Sequence, residues 1–374
     1  MDGGFSLKDQ LFNREKVHYL AELFATADSR FDAAGFEAQV MADLPALELK
    51  QRMTLIADVL ADHLPDALPE AAPILLRALP PPLDPSKTDD DFGDFIFAPL
   101  GEFVAAKGVH AHPQLSLDLL EEITQRFSME WAIRPFLNRW PEDVLVRMQD
   151  WVGHSSYHVR RLVSEGTRPR LPWGEAVGLS LDQPLPLLDR LHSDGARYVT
   201  RSIANHLNDI AKKDPDLVMD RLEAWQTAGG QSAKELAWMT SHALRGLVKA
   251  GHPRAMKMLG YDPDLELEAD VVIKSEKVRI GDALEFATHL KGQAGSPVLV
   301  DYIIHFQRPG GKVSAKVFKL KQTKISGKLL TLDKRHKLKG NASTFKLVPG
   351  PHRMELMVNG KVRAEAVFEL LPAG

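Results

Sequence analysis

The sequence predicts a mainly α chain: a HEAT-like or armadillo-like α-solenoid followed by a small all-β immunoglobulin-like sandwich. Three observations predict it. Helical periodicity runs through most of residues 8–260, a repeat of about 40 residues lies inside that region, and near residue 265 the pattern changes to short β-branched runs.

The helices come first along the chain. LELKQRMTLIADVLADHL and SLDLLEEITQRF carry apolar residues at three- and four-residue steps, the spacing of one face of a helix. Breakers separate such stretches: LPDALP, LPPPLDP, the region of Pro141, PRLPW and AGGQ. Within the helical region, Val159 falls on Val199, Arg161 on Arg201 and Val163 on Ile203 at an offset of 40. A further 40 places Ile203 on Ala243 and Leu207 on Leu247; going back 40, Arg161 falls on Glu121 and Val163 on Ile123. A period near 40 in helix pairs is the signature of stacked α-repeats, in which equivalent positions form rows across one concave wall. One expected row is Gln125, Glu165, Asn205, Arg245. Another is Glu121, Arg161, Arg201.

From about 265, VVIKSEKVRI, LEFATHL, VLVDYIIHF, KVSAKVFKLK, HRMELMVNG and VRAEAVFEL are separated by Gly, Pro and Asn turns. Six or seven strands in about 105 residues fit an immunoglobulin-like sandwich. The cysteine pair and the tryptophan of antibody domains are missing, so only the architecture is implied. The expected domains are 1–262 and 265–374, joined at GYDPDLELE.

The 374 residues contain no cysteine. That excludes disulfides, Cys-ligated zinc, iron–sulfur clusters and thiol catalysis together, and fits a reducing compartment. No apolar core flanked by basic residues marks the N-terminus, and no run approaches about 18 apolar residues, so a cytoplasmic protein without a membrane partner is expected. The net charge of −3 conceals an asymmetry: residues 271–374 carry 19 Lys+Arg against 8 Asp+Glu, leaving 28 basic and 42 acidic residues in 1–270. The excess peaks between Lys312 and Lys339, where ten Lys/Arg, Lys334 and Arg335 among them, face only Asp333. Such a stripe is a solvated strand face or a polyanion contact.

Three segments carry candidate chemistry. HSSYHVRRLVSEGTRPRLPW packs Arg160, Arg161, Arg168 and Arg170 close to His154 and Trp173. Arginine forks bind phosphate bidentately; equally, they can form a helix-end ion-pair network with Glu165. The prolines after Gly166 force extended backbone, which is expected to project Arg168 and Arg170 away from the helix. Trp173 is a core plug or an aromatic surface for a sugar or base. In RYVTRSIANHLNDIAKKDPD, Asn205 and Asn208 share a helix face although asparagine is a poor helix former; they bond neighbouring backbone or face a nucleic-acid groove. Asp209 is expected to pair with Lys212 or Lys213. EEITQRFSMEWAIRPF supplies Glu121, Glu122, Arg126 and Glu130, with a solvated helix face as the ordinary reading of Glu-Glu. No zincin, Walker A, nucleophile-elbow or dinucleotide motif occurs, and the scattered histidines give no metal site. Neither cofactor nor metal is expected.

LELKQRMTLIADVLADHLP, RFSMEWAIRPFL, HVRRLVSEGTRPRLPW, VTRSIANHLNDIAKKDP and SHALRGLVKAGHPRA together resemble the AlkC family of DNA alkylation repair glycosylases, over about residues 1–260. That family is similar to the all-helical AlkD glycosylases, and some members carry a C-terminal immunoglobulin-like domain. The resemblance implies a monomeric enzyme acting on double-stranded DNA. It would excise N3-alkylated bases, chiefly 3-methyladenine and 3-methylcytosine, without flipping them into a pocket. Laid on the AlkD pattern, Arg161 matches a catalytic-site arginine. The AlkD Trp and Asp four apart correspond to Glu122 and Arg126, and a second Trp and the arginine after it correspond to Asn205 and Asn208.

N3-alkylation makes the base cationic, so it leaves as a neutral molecule and needs no general acid; an oxocarbenium-like sugar develops, which a carboxylate stabilises. Among the candidates, Glu121 shares the row of Arg161 and Arg201 and is the first choice; Glu165 is second. Glu122 is turned away, and Glu130 is expected in the first turn of the next helix without a catalytic role. DNA contacts are expected from Arg126, His154, Arg160, Arg161, Arg168, Arg170, Trp173, Arg201, Asn205, Asn208, Arg245, Lys334 and Arg335. The alternative is a non-catalytic scaffold binding DNA or protein in the same groove.

Overall fold

The computed structural model describes residues 6–89, 91–327, 329–340 and 345–374. The N-terminal part is helical: α1 Leu7–Leu11, α2 Arg14–Ala27, α3 Ala33–Asp43, α4 Leu49–His63, α5 Leu68–Ala78, α6 Ala98–Gly108, α7 Pro113–Thr124, α8 Arg134–Arg139, α9 Pro141–Trp151, α10 Tyr157–Gly166, α11 Leu185–Leu191, α12 Arg197–Ile210, α13 Pro215–Ala228 and α14 Ala233–Ala243. Two short helices follow, α15 Arg245–Lys249 and α16 Pro253–Met258. None of the described helices is long and apolar enough to cross a membrane.

Local chemistry sets the ends. Asn13 accepts the Lys16 N–H at the start of α2, Asp32 accepts the Gly35 N–H at the start of α3, and Glu48 and Gln51 form a capping box on α4. Proline opens α7, α9, α13 and α16, where its missing N–H would have had no partner. The LPDALP break separates α4 from α5, and Gly229 and Gly230, both at positive φ, separate α13 from α14.

The 40-residue register falls on the core. Ile123, Val159, Val163, Val199, Ile203, Leu207 and Ala243 are all fully buried. Consequently α10, α12 and α14 pack side by side, each covering the apolar stripe its neighbour exposes. One compact unit comprises residues up to Asp214 together with Asp220–Ala243; Pro215–Met219 group with Leu244–Gly374 as the other.

The second unit is a sandwich of two sheets. Its strands are β1 Leu267–Ile273, β2 Lys277–Arg279, β3 Ala283–Gly292, β4 Pro297–Gln307, β5 Val313–Lys324, β6 Leu330–Lys337, β7 Gly350–Val358 and β8 Lys361–Leu371. One sheet has the order β1-β3-β6, the other β2-β8-β7-β4-β5. Phe286, Tyr302, Ile304, Met354, Leu356 and Phe368 fill the space between them. Two features depart from the six runs read in the sequence. VVIKSEKVRI is two strands: β1 ends at Ile273, and β2 crosses to the other sheet to pair in parallel with β8. The basic run LTLDKRHK is a further strand, β6, whose Leu332 is buried while Asp333, Arg335 and Lys337 face out. The two short helices belong to this unit. Met256 and Tyr261 pack on Leu299, and Asn359 donates to the Asp262 carbonyl at 2.9 Å.

Candidate active site

The densest cluster of charge in the helical unit lies at the end of α10. Arg134, fully buried at the start of α8, builds it: its Nη1 donates to the carbonyls of Gly166 (2.9 Å) and Arg168 (3.1 Å), and its Nε to that of Glu175. These bonds satisfy carbonyls that the end of α10 leaves open and fix the course of the loop after it. Gly166 is required there, since a Cβ would lie 2.6 Å from Ile133 Cγ2.

With the loop pinned, Arg168 folds back instead of projecting outward. It donates to Glu165 Oε1 at 2.5 Å and to Asp209 Oδ2 at 2.7 Å. Carboxylates on two successive repeat helices outweigh the extended bias of the prolines. Arg170 is exposed and forms no ion pair among the described residues.

Arg161 lies at the centre. Its Nη1 donates to Glu130 Oε2 and to Ser128 Oγ, both at 2.8 Å, and its Nη2 lies 3.6 Å from Glu165 Oε2. The guanidinium sits 4.3 Å from the centre of the Tyr198 ring. Burial by itself would lower the Arg161 pKa, but the charges of Glu130 and Glu165 hold it above the ordinary arginine value. Burial would raise the Glu165 pKa; Arg161, Arg168 and the Ser202 hydroxyl, 2.6 Å away, hold it below the usual carboxylate range. Glu165 is saturated with donors. Glu130 has only Oε2 engaged among the described residues, and its side chain retains 13% exposure. Glu130 stands in the turn ahead of α8, not in that helix's first turn, because α8 begins only at Arg134. Asp209 accepts from Lys212 at 2.9 Å as expected, and also from Arg168.

The other expected residues lie elsewhere. Glu121, on α7, accepts the Trp151 indole N–H at 2.6 Å, with Arg147 at 3.4 Å and His154 at 3.5 Å. This is a second cluster, built from α9 and the turn after it, and these partners of Glu121 differ from those of Arg161. Arg160 forks onto Asp194 and donates to the His154 carbonyl, so the two adjacent arginines of α10 diverge. Arg126 is buried and donates to the Pro80 carbonyl and to Glu122. Gln125 turns its amide back to the Glu121 carbonyl. Arg201 pairs with Asp89. The Asn205 amide oxygen meets His242 Nε2 at 2.9 Å, and Asn208 is buried. Trp173 is 57% exposed, not a core plug, and holds a positive φ of 65° while its carbonyl accepts from Lys50. Arg245 belongs to the second unit, as do half-buried Lys334 and Arg335, which pairs with Glu285.

Sequence reasoning passed over Ser128, Tyr198 and Ser202, and set Glu130 aside. The only signal of the first three in the chain is their spacing from Arg161 by 33, 37 and 41 residues, about one repeat. Among the described residues no three His, Asp or Glu groups are placed to hold a metal.

Comparison with known proteins agrees with this architecture. Residues 268–372 match the family described as "Uncharacterised protein YhaZ, C-terminal Ig-like domain". The Bacillus subtilis protein "Uncharacterized protein YhaZ" is 30% identical over 366 residues, which cover 96% of this chain and 98% of that one. The solved structure of Pseudomonas fluorescens alkylpurine DNA glycosylase AlkC, bound to DNA containing an abasic site analog, superposes with a TM-score of 0.86 at 30% identity. The match covers 98% of this chain and 100% of that chain. A helical-repeat unit carrying a charged cluster at the end of α10, an immunoglobulin-like sandwich after it in the chain and end-to-end similarity to these two proteins lead to one assignment: the chain belongs to the AlkC family of DNA alkylation repair glycosylases.

Proposed function

We propose that the protein is a monofunctional DNA glycosylase. It hydrolyses the N-glycosidic bond of cationic N3-alkylated bases such as 3-methyladenine and 3-methylcytosine in duplex DNA, without flipping the base. The observation that carries this reading is the pair of carboxylates, Glu130 and Glu165, held on either side of the Arg161 guanidinium.

The bond between C1′ and the base nitrogen breaks with its electron pair going to the base. A base that was cationic departs neutral and needs no proton. The sugar becomes oxocarbenium-like, and water adds to C1′ and loses a proton. A carboxylate beside C1′ stabilises the positive charge and can accept that proton. Glu130 suits the task better than Glu165, because one of its oxygens is unengaged among the described residues whereas Glu165 is surrounded by donors. Glu165 then orients Arg161 and Arg168. Glu121 is the second candidate, in its own cluster with Trp151. Neutral lesions such as uracil are poor substrates in this scheme, since nothing in it protonates the leaving base.

The test is release of free 3-methyladenine from methylated duplex DNA by the purified protein. Release is expected; DNA binding with no release makes the protein a scaffold.

A further inference from the structure

Residues 84–94, DPSKTDDDFGD, hold five aspartates against one lysine. They follow the prolines 80–82, which keep the chain out of a helix. The described residues of this segment, 84–89 and 91–94, run between the end of α7 and the start of α12. The Leu83 N–H donates to the Gln125 carbonyl at the end of α7 (3.0 Å), and the Arg126 carbonyl accepts the Asp94 N–H at the other end of the segment (3.3 Å). Between these anchors, the Thr88 carbonyl accepts the Tyr198 N–H at the start of α12 (3.0 Å), and Phe92 meets the Tyr198 ring edge-on at 5.4 Å. Asp89 takes Arg201 on both carboxylate oxygens. Tyr198 is the same ring that Arg161 lies over. The segment therefore borders the candidate active site and pairs with Arg201.

Its seat is incompletely satisfied. The Tyr157 hydroxyl and His158 Nε2, at the start of α10, are buried without a hydrogen-bond partner among the described residues. Burial pushes the Tyr157 pKa up to about 12 and the His158 pKa down to about 4; the charge of Asp91 adds to the first shift and opposes the second. Along the segment, Asp84, Ser86, Lys87, Thr88 and Phe92 are exposed. At one end, Gly93 holds φ +74° with its Cα against the Arg126 carbonyl, where a Cβ would come within 1.9 Å. An exposed segment held between its anchors, among the described residues, by Thr88, Asp89 and Phe92 is one that can open locally.

We propose that residues 84–89 and 91–94 form an acidic strap that holds the phosphate position on Arg201 in the free protein through Asp89 and yields it to a DNA phosphate on binding. This rests on the reading of the helical unit as a DNA surface. An internal competitor lowers the apparent affinity for any duplex by the fraction of molecules in which the strap is docked. Weak encounters with undamaged DNA are penalised in proportion, and the strap sets a threshold for engagement.

The experiment uses the full chain and an undamaged duplex as probe, with affinity measured by fluorescence anisotropy at low salt. Asp89→Asn keeps the Thr88 carbonyl and is expected to tighten binding roughly fivefold or more. Arg201→Gln should weaken binding, and the double variant should show no tightening relative to Arg201→Gln alone. Hydrogen exchange of the parent's residues 84–93 should accelerate when duplex is added. Unchanged or weaker binding by Asp89→Asn, or slower exchange of the segment on DNA, overturns the strap while leaving the DNA reading intact. A parent that binds no duplex overturns both.

Discussion

Glu130 and Glu165 share one guanidinium: Arg161 donates to Glu130 at 2.8 Å from one nitrogen and places the other 3.6 Å from Glu165. Two carboxylates this close repel each other unless a cation lies between them. The arginine therefore offsets that repulsion and holds Glu165 below the usual carboxylate range, and among the described residues only Glu130 keeps an oxygen free of the cluster.

Glu130→Gln is expected to keep the fold and DNA affinity while slowing excision of 3-methyladenine by roughly a hundred- to a thousandfold, the loss typical of one electrostatic group. Single-turnover rates of the Gln variants at Glu130, Glu165 and Glu121 decide the assignment. A parent-like Glu130→Gln beside a slow Glu121→Gln moves the chemistry to the Trp151 cluster.

Arg161→Ala should destabilise the helical unit by about 3–5 kcal/mol, because it leaves a buried carboxylate without its partner. The sign with pH follows. In the parent, the folded Glu165 pKa lies below its ordinary value of 4.5, so its contribution is present above pH 4.5 and is lost as pH falls through the folded pKa. Without Arg161 the depression weakens, and the deficit relative to the parent should shrink on acidification. Denaturant midpoints at pH 7 and pH 4 measure this; an unchanged midpoint at pH 7 shows that Arg161 contributes little to the fold.

His206 is fully buried, and burial pushes its pKa from 6.5 down to about 4. The unfolded chain binds the proton first, so stability is complete above pH 6.5 and falls as pH drops towards 4. The span corresponds to a contribution on the order of 3 kcal/mol. Its Nδ1 donates to the Ser164 carbonyl, a bond that an asparagine amide can replace. His206→Asn should flatten the acid limb of a stability–pH curve, and an equally steep limb would assign it to other groups.

Trp173 holds φ 65°, a region that costs most side chains about 1 kcal/mol or more, while its ring faces solvent. Trp173→Gly relieves the backbone and removes the ring. The melting temperature should hold or rise while affinity for lesion DNA falls. A variant with parent affinity would leave the ring without a role in binding.

Neutralising Lys319, Lys321 and Lys324, exposed on the edge strand β5, should weaken DNA binding and reduce the salt slope by roughly 0.9 for each phosphate that is no longer neutralised. Identical slopes would make the stripe a solvated strand face.

The sequence by itself determined the element types, the 40-residue repeat and the change to a β-sandwich. Each is written in local periodicity, and burying an apolar stripe or alternation decides it without knowledge of distant partners: Val159, Val199 and Ile203 fall in the core as their spacing requires. The strand β6 escaped because its outward face is almost all charge and only Leu332 of its inner face is deeply buried. The arginine cluster was legible as a cluster, but the destination of each arginine was not. Arg160 goes to Asp194, Arg161 to Glu130, Arg168 to Asp209 and Arg201 to Asp89, across separations of 34, 31, 41 and 112 residues. Only the tertiary structure decided these pairs. A long side chain reaches several carboxylates of equal chemistry, and which one it meets depends on how the repeats stack and on the course of loops such as the one Arg134 pins behind α10.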